Sequence, residues 1–213
     1  MAQMVVFDVG ETLVDETRQW GEWADWLGVP RLTFFGALGG LIAAGRSHRE
    51  VFTLVRPDLD HARAVAERAR QGWRYDIQQS DFYPDALPCL QSLRERGFRI
   101  GVVGNQPEAC EQCLRQMGLS LDLLGSSERW GVSKPSPDFF RRIIQEADLP
   151  PDAIYYVGDL PANDIKPAHE AGLKPVFIRR GPWGILHDGS ADARHAALRI
   201  MTLAELPDSL ADL

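Results

Sequence analysis

The run Met4-Val5-Val6-Phe7, broken at Asp8-Val9-Gly10, constrains the fold more than any other stretch of the chain. Four apolar residues rich in β-branched and aromatic side chains, followed at once by an acid and a glycine, predict a short buried strand. The same punctuation returns downstream. Phe98–Val103 predicts a strand ending in Gly104-Asn105, and Ala153–Val157 one ending in Gly158-Asp159, with further strands at Leu121–Ser126, Lys174–Arg179 and Ile200–Leu203. Helical patterns lie between them: Ala86–Arg96 closed by Gly97, a segment opening at Pro107, Phe139–Ala147 and Ile165–Ala171, with a short helical tail after Glu205. Strands alternating with helices predict an α/β fold with a parallel sheet. In such sheets ligands bind at the carboxyl ends of the strands, which is where Asp8, Asn105 and Asp159 fall.

One region breaks this rhythm. From about Asp15 to Gln79 no strand pattern occurs, and Trp20, Trp23, Trp26 and Leu27 recur at the three-to-four spacing of a helix face. Leu32–Ala44 is apolar, Ser47–Val55 amphipathic, and Asp60–Tyr75 alternates alanine with arginine at helical period. A helical insertion is predicted over residues 15–80, flanked by a core from 1–14 and 81–213. The tryptophans are read chiefly as packing, and Arg46, Arg49 and Arg56 as a solvated face that could also reach an anionic substrate.

Composition bounds the function. Hydrophobic content of 45% and charged content of 25% belong to an ordinary globular protein, and a net charge of -7 disfavours non-specific nucleic-acid binding. No window holds the roughly 18 apolar residues of a membrane span. Cys89, Cys110 and Cys113 have no scaffold-like spacing, and the Cys110/Cys113 pair falls inside a helix, so a reduced, cytoplasmic protein is expected. Oligomeric state is not legible.

Three strand ends thus deliver Asp8, Asn105 and the pair Asp159/Asp164. Each alone has an ordinary reading as a turn or cap. Lys134 stands in the loop Ser133-Lys134-Pro135-Ser136-Pro137, and it is one of three lysines against twenty arginines. Carboxylate and amide oxygens with a lysine suit a small Mg²⁺-bound phosphorylated substrate, with Asp8 as nucleophile.

In this order the residues resemble the haloacid dehalogenase superfamily. Phosphatases of that superfamily carry Asp-x-Asp-Gly-Thr, a second motif ending in Ser/Thr, a lysine, and Gly-Asp-x-x-x-x-Asp. Phe7–Asp15, Gly101–Asn105, Ser133–Pro135 and Gly158–Asp164 match in turn. The resemblance implies a Rossmann-like three-layer core with an inserted α-helical cap. It further implies Mg²⁺ on Asp8, the Gly10 carbonyl, Asp159 and Asp164, catalysis by Asp8 and Lys134, and Thr12, Gly104, Asn105 and the amides after Asp8 around the transferring group. Two positions depart from the pattern. Gly10 replaces the aspartate that acts as general acid, and Gly104 the usual Ser/Thr. Glu11 is a candidate substitute acid, although alternation at a strand end turns it away from Asp8. The departures leave two alternatives: a binding module that has lost turnover, and a dehalogenase-type hydrolase.

Overall fold

The computed structural model describes residues 2–211, so the predicted core's residue 1 and residues 212–213 lie outside the description. The chain divides into two compact units, one holding the residues up to Asp15 and from Ile77 onward, the other Glu16–Asp76. The larger unit is built on a six-stranded, wholly parallel sheet: β1 (Met4–Phe7), β2 (Arg99–Gly104), β3 (Leu123–Ser126), β4 (Ile154–Gly158), β5 (Lys174–Ile178) and β6 (Leu198–Ile200), in the order β3-β2-β1-β4-β5-β6. This is a Rossmann-like α/β sheet. All four residues of β1 are fully buried, as expected of a strand covered on both faces. Met4, Val6, Ile154 and Tyr156 pack into one cluster with Phe139, Phe140 and Ile143 of a helix over Pro137–Ala147. Val5, Phe7, Tyr155 and Val157 alternate with them and are equally buried.

Strand order matters for function. β1 lies between β2 and β4, so the chain reverses its direction of winding at β1, and the crevice beyond the strand ends opens there. Asp8 follows β1 and Asp159 follows β4, with Phe7 paired to Val157.

The smaller unit contains α1 (Thr17–Leu27), α2 (Arg31–Ala43), α3 (Glu50–Val55) and α4 (His61–Arg70). Its interior is aromatic: Trp23 lies 4.8 Å from Phe52, and Trp20 6.3 Å from Phe34. Arg46, Arg49 and Arg56 are exposed. Among the described residues no single helix is long and apolar enough to cross a membrane.

Three sequence expectations shift, and one helix is new. The boundary at 76/77 precedes the expected 80/81 because the returning chain is tied to the end of the first motif. Asp15 donates its amide to the Asp81 carbonyl at 2.8 Å, and Tyr83 donates its own to Leu13 at 3.0 Å. The last strand runs over Leu198–Ile200 instead of Ile200–Leu203, because the Asp85 carboxylate takes the Leu203 amide and the Thr202 hydroxyl, turning the chain out of the sheet. The helix expected over Ile165–Ala171 spans Lys166–Glu170 and is preceded by a wide helical turn, Pro161–Ile165. A helix over Gly181–Leu186, opened by Gly181-Pro182, has no counterpart in the sequence reading.

Candidate active site

The first-motif loop is a tight knot of backbone hydrogen bonds. The Val9 carbonyl accepts from the amides of Leu13 and Val14 at 2.9 and 3.0 Å, and more weakly from Thr12, while the Glu11 amide donates to Val14 at 2.7 Å. The amides from Glu11 to Val14 are therefore committed to the loop. This narrows the expected backbone cradle for a transferring group to Val9 and Gly10. Gly10 is not among the residues of positive φ; Glu11 is, at 53°.

Lys134 stands at the centre of the charged groups. Its ammonium lies 2.8 Å from Asp8 Oδ1 and 2.6 Å from Asp164 Oδ1. Burial alone would lower its pKa, but the Asp164 and Asp8 carboxylates outweigh that cost and hold it well above the usual lysine value. Lys134 remains charged. Its backbone is fixed by Asn105, whose side-chain amide donates to the Lys134 carbonyl at 3.0 Å and accepts from the Lys134 amide at 2.8 Å. Asn105 thus positions the lysine loop through its oxygen and one N–H, and its second N–H is left for a further acceptor.

The acids fall into two kinds. Asp164 has a partner on each oxygen: Oδ1 takes the lysine, and Oδ2 accepts the Leu160 amide at 2.9 Å. Gly158 makes room for it, because a Cβ there would come 2.4 Å from the Asp164 carboxyl carbon. Burial pushes the Asp164 carboxyl up, Lys134 pulls it back, and the balance lies at about 6. Asp159 accepts only a long 3.4 Å bond from the fully buried Thr12 hydroxyl on Oδ1, and its buried Oδ2 has no hydrogen-bond partner. Burial, then Asp164, Asp8 and Glu11, raise the Asp159 pKa well above the carboxylate range. The Thr12 hydroxyl thus faces Asp159. Oxygens of Asp8, Asp159 and Asp164 lie within 4.8 Å of one another, the one such acidic, histidine or cysteine group among the described residues. An orphaned buried carboxylate oxygen among hard oxygen donors is chemistry that fits Mg²⁺, which Asp8 and Asp159 could hold directly and Asp164 could orient.

Gly104 contributes space. A Cβ at this position would lie 2.5 Å from Asp8 Oδ1, so the carboxylate occupies room that a serine or threonine side chain would need. Glu11 is also buried, and its Oε2 accepts the Tyr83 hydroxyl at 2.7 Å. Tyr83, Asp85 and Arg180 form the part of the site that sequence reasoning missed. Arg180 stacks on the Tyr83 ring at 4.3 Å, pairs with Asp85, and donates to the Thr12 carbonyl at 3.2 Å. The only signal was that Tyr83, Asp85 and Arg180 flank predicted element ends.

A family model described as haloacid dehalogenase-like hydrolase matches residues 2–172. The chain is similar to a glyceraldehyde 3-phosphate phosphatase of Methanopyrus kandleri, 37% identical over 105 residues that cover 47% of this chain and 45% of that protein. It is also similar to a phosphoserine phosphatase of Thermus thermophilus, 30% identical over 168 residues covering 76% and 66% of the two chains. The matches therefore span about half to two thirds of these relatives' lengths. Among solved structures, a 2-haloacid dehalogenase from Pseudomonas syringae superposes with a TM-score of 0.59 at 27% identity, covering 100% of this chain and 99% of that one.

Proposed function

From the haloacid dehalogenase-like hydrolases, the family to which this chain belongs, we propose a Mg²⁺-dependent phosphohydrolase acting on a small phosphorylated metabolite through an aspartyl-phosphate. The observation that carries this reading is Lys134 bridging Asp8 and Asp164 beside the unpartnered oxygen of Asp159. Asp8 attacks phosphorus through a carboxylate oxygen, and the bond to the leaving oxygen breaks. Lys134 offsets the negative charge of nucleophile and phosphoryl group, whose mutual repulsion would otherwise oppose approach. Mg²⁺ held by Asp8 and Asp159 would supply further charge neutralisation to the phosphoryl group. In this reading Glu16–Asp76 is the cap, and the similar phosphatases support phosphate monoesters as the substrate class.

The test is hydrolysis of p-nitrophenyl phosphate with Mg²⁺, which Asp8→Asn abolishes. Gly10 sharpens the substrate class. A general acid contributes about 10² to 10⁴ in rate and matters most for poor leaving groups, so aryl and acyl phosphates should turn over while alkyl phosphates lag. Because Gly10 does not need a positive φ, Gly10→Asp is tolerated by the backbone and should raise alkyl turnover more than aryl turnover. Equal gains would show another acid at work. A second reading, haloacid dehalogenation, is favoured by the similar dehalogenase structure; 2-chloropropionate turnover without Mg²⁺ is its signature.

A further inference from the structure

We propose that Arg180 is a positioning residue of the reaction centre, whose guanidinium holds the first-motif loop that carries Asp8; the role rests on the reading of Asp8 as the attacking group. Arg180 lies two residues beyond β5, at the end of the sheet where Asp8 and Asp159 also emerge. It also lies beyond residues 2–172, the stretch that the family model matches. Its side chain is 10% exposed, and a charge placed so deeply is costly unless its donors are paired.

The partners come from two distant segments. Nη1 donates to the Thr12 carbonyl at 3.2 Å and to Asp85 Oδ1 at 3.0 Å, while Nη2 donates to Asp85 Oδ2 and the guanidinium lies over the Tyr83 ring at 4.3 Å. Asp85 is itself fixed, since its Oδ2 also accepts the Thr202 hydroxyl at 2.8 Å and the Leu203 amide at 2.9 Å. A two-point pair on a fixed carboxylate sets the plane of the guanidinium. Nη1 is thereby aimed at Thr12.

Thr12 links the first motif to the fourth. Its hydroxyl faces Asp159 Oδ1 at 3.4 Å, and the amides of the next two residues, Leu13 and Val14, close on the carbonyl of Val9, the residue after Asp8, at 2.9 and 3.0 Å. A shift of the Thr12 carbonyl therefore moves the backbone beside the nucleophile. The segment that carries Arg180 also bears on the fourth motif: a Cβ on Gly184 would come 2.9 Å from the Ile178 carbonyl and 3.4 Å from the Asp159 carbonyl. Residues 180–184 thus press on the backbones of both loops. In this role Arg180 acts on the reaction through Thr12.

The experiment combines p-nitrophenyl phosphate hydrolysis by the full chain at saturating Mg²⁺ with hydrogen exchange of the Leu13 and Val14 amides without Mg²⁺, both well below the unfolding temperature of every variant. A misplacement of about 1 Å that originates away from the chemistry can cost about 100-fold, so Arg180→Lys, which keeps the charge beside Asp85 but not the fork, should lower kcat about 10- to 100-fold with KM little changed. The two amides should exchange faster. Asp85→Asn, which keeps an oxygen for Thr202 and Leu203 yet weakens the fork, should produce the same pair of changes in smaller measure. Thr202→Val removes a bond to Asp85 that has no link to Thr12, and it should leave kcat and both amides as in the wild type. Wild-type kcat in Arg180→Lys overturns the proposal, as does a fall in kcat without faster exchange, a rise in KM in place of the fall in kcat, or an equal fall in Thr202→Val. If instead Asp8→Asn hydrolyses the ester as the wild type does, the phosphohydrolase reading itself falls and takes this proposal with it.

Discussion

Lys134 in the sheet unit and Arg68 in the helical unit are both almost completely buried, at 5% and 3% exposure, yet they are compensated in opposite ways. Lys134 is gripped by two carboxylates. Arg68 lies between two indoles, 4.0 Å over Trp23 and 4.2 Å over Trp73, with its nearest carboxylate, Glu22, at 3.7 Å and with Nε and Nη1 lacking hydrogen-bond partners. Burial pushes both pKa values down. Around Lys134 the carboxylates win and the value rises; around Arg68, Glu22 does not, and it falls. One surrounding concentrates charge that can be handed to a ligand. The other stabilises a cation with polarisable faces and asks nothing of a ligand.

The largest expected effect breaks the first arrangement. Lys134→Met leaves Asp8 and Asp164 buried without their cation, and removing one partner of a buried pair typically costs about 3–5 kcal/mol. Urea unfolding should report a loss of that size together with loss of turnover, and saturating Mg²⁺ should restore part of the stability. A loss below about 1 kcal/mol would mean that water already screens these carboxylates.

A comparable effect comes from pH, with opposite signs in the two units. The Asp164 carboxyl stands at about 6 in the folded chain against 3.8 for an ordinary aspartate. An acid whose pKa is raised by folding contributes stability below its unfolded value, and that contribution is lost as pH rises through the folded value. The Mg²⁺-free sheet unit should therefore weaken between about pH 4 and 7, by roughly 3 kcal/mol from this group. Mg²⁺ needs the ionised carboxylates, so saturating metal should reverse the trend. In the helical unit His48 and His61 are lowered from 6.5, first by burial and then by Arg49. Their contribution is whole above about pH 6.5 and is lost as pH falls through the folded values. Hydrogen exchange at pH 5 and 7.5 without Mg²⁺ should show protection in the sheet unit falling with pH while that of Glu16–Asp76 rises.

The same contrast explains what was legible in the sequence. Residues whose role is set by strand ends were readable, because a run such as Met4–Phe7 fixes where the next residue points: Asp8, Asp159, Asp164 and Lys134 do converge. Residues whose role depends on a neighbour from elsewhere in the chain were not. Asn105 was placed at the correct strand end, but only the folded loop reveals that Lys134 uses both ends of its amide. Glu11 was judged by strand alternation, a rule that fails once φ becomes positive. Arg68 sits in an alanine–arginine alternation that reads as a helix, and nothing in that pattern says which arginine meets two tryptophans.

Arg68 carries the smallest expected effect, and it tests whether the two buried cations differ in kind. Replacing Arg68 by methionine removes two stacked contacts, each worth up to about 2 kcal/mol when desolvated. It also removes a buried guanidinium with two unpartnered nitrogens, whose desolvation opposes those contacts, and it leaves an apolar chain between Trp23 and Trp73. Glu22 is not stranded by the change, since Arg18 pairs with it at 2.7 Å and the Trp73 indole donates to it at 3.1 Å. Gains and losses of similar size should leave Arg68→Met within about 1 kcal/mol of the wild type in urea unfolding, because swapping a buried charge for a packed apolar group is often neutral. Mg²⁺ affinity should not move. A loss of about 3 kcal/mol or more, matching Lys134→Met, would show that Arg68 is held mainly by the charge of Glu22, and the two cations would then be buried by the same means.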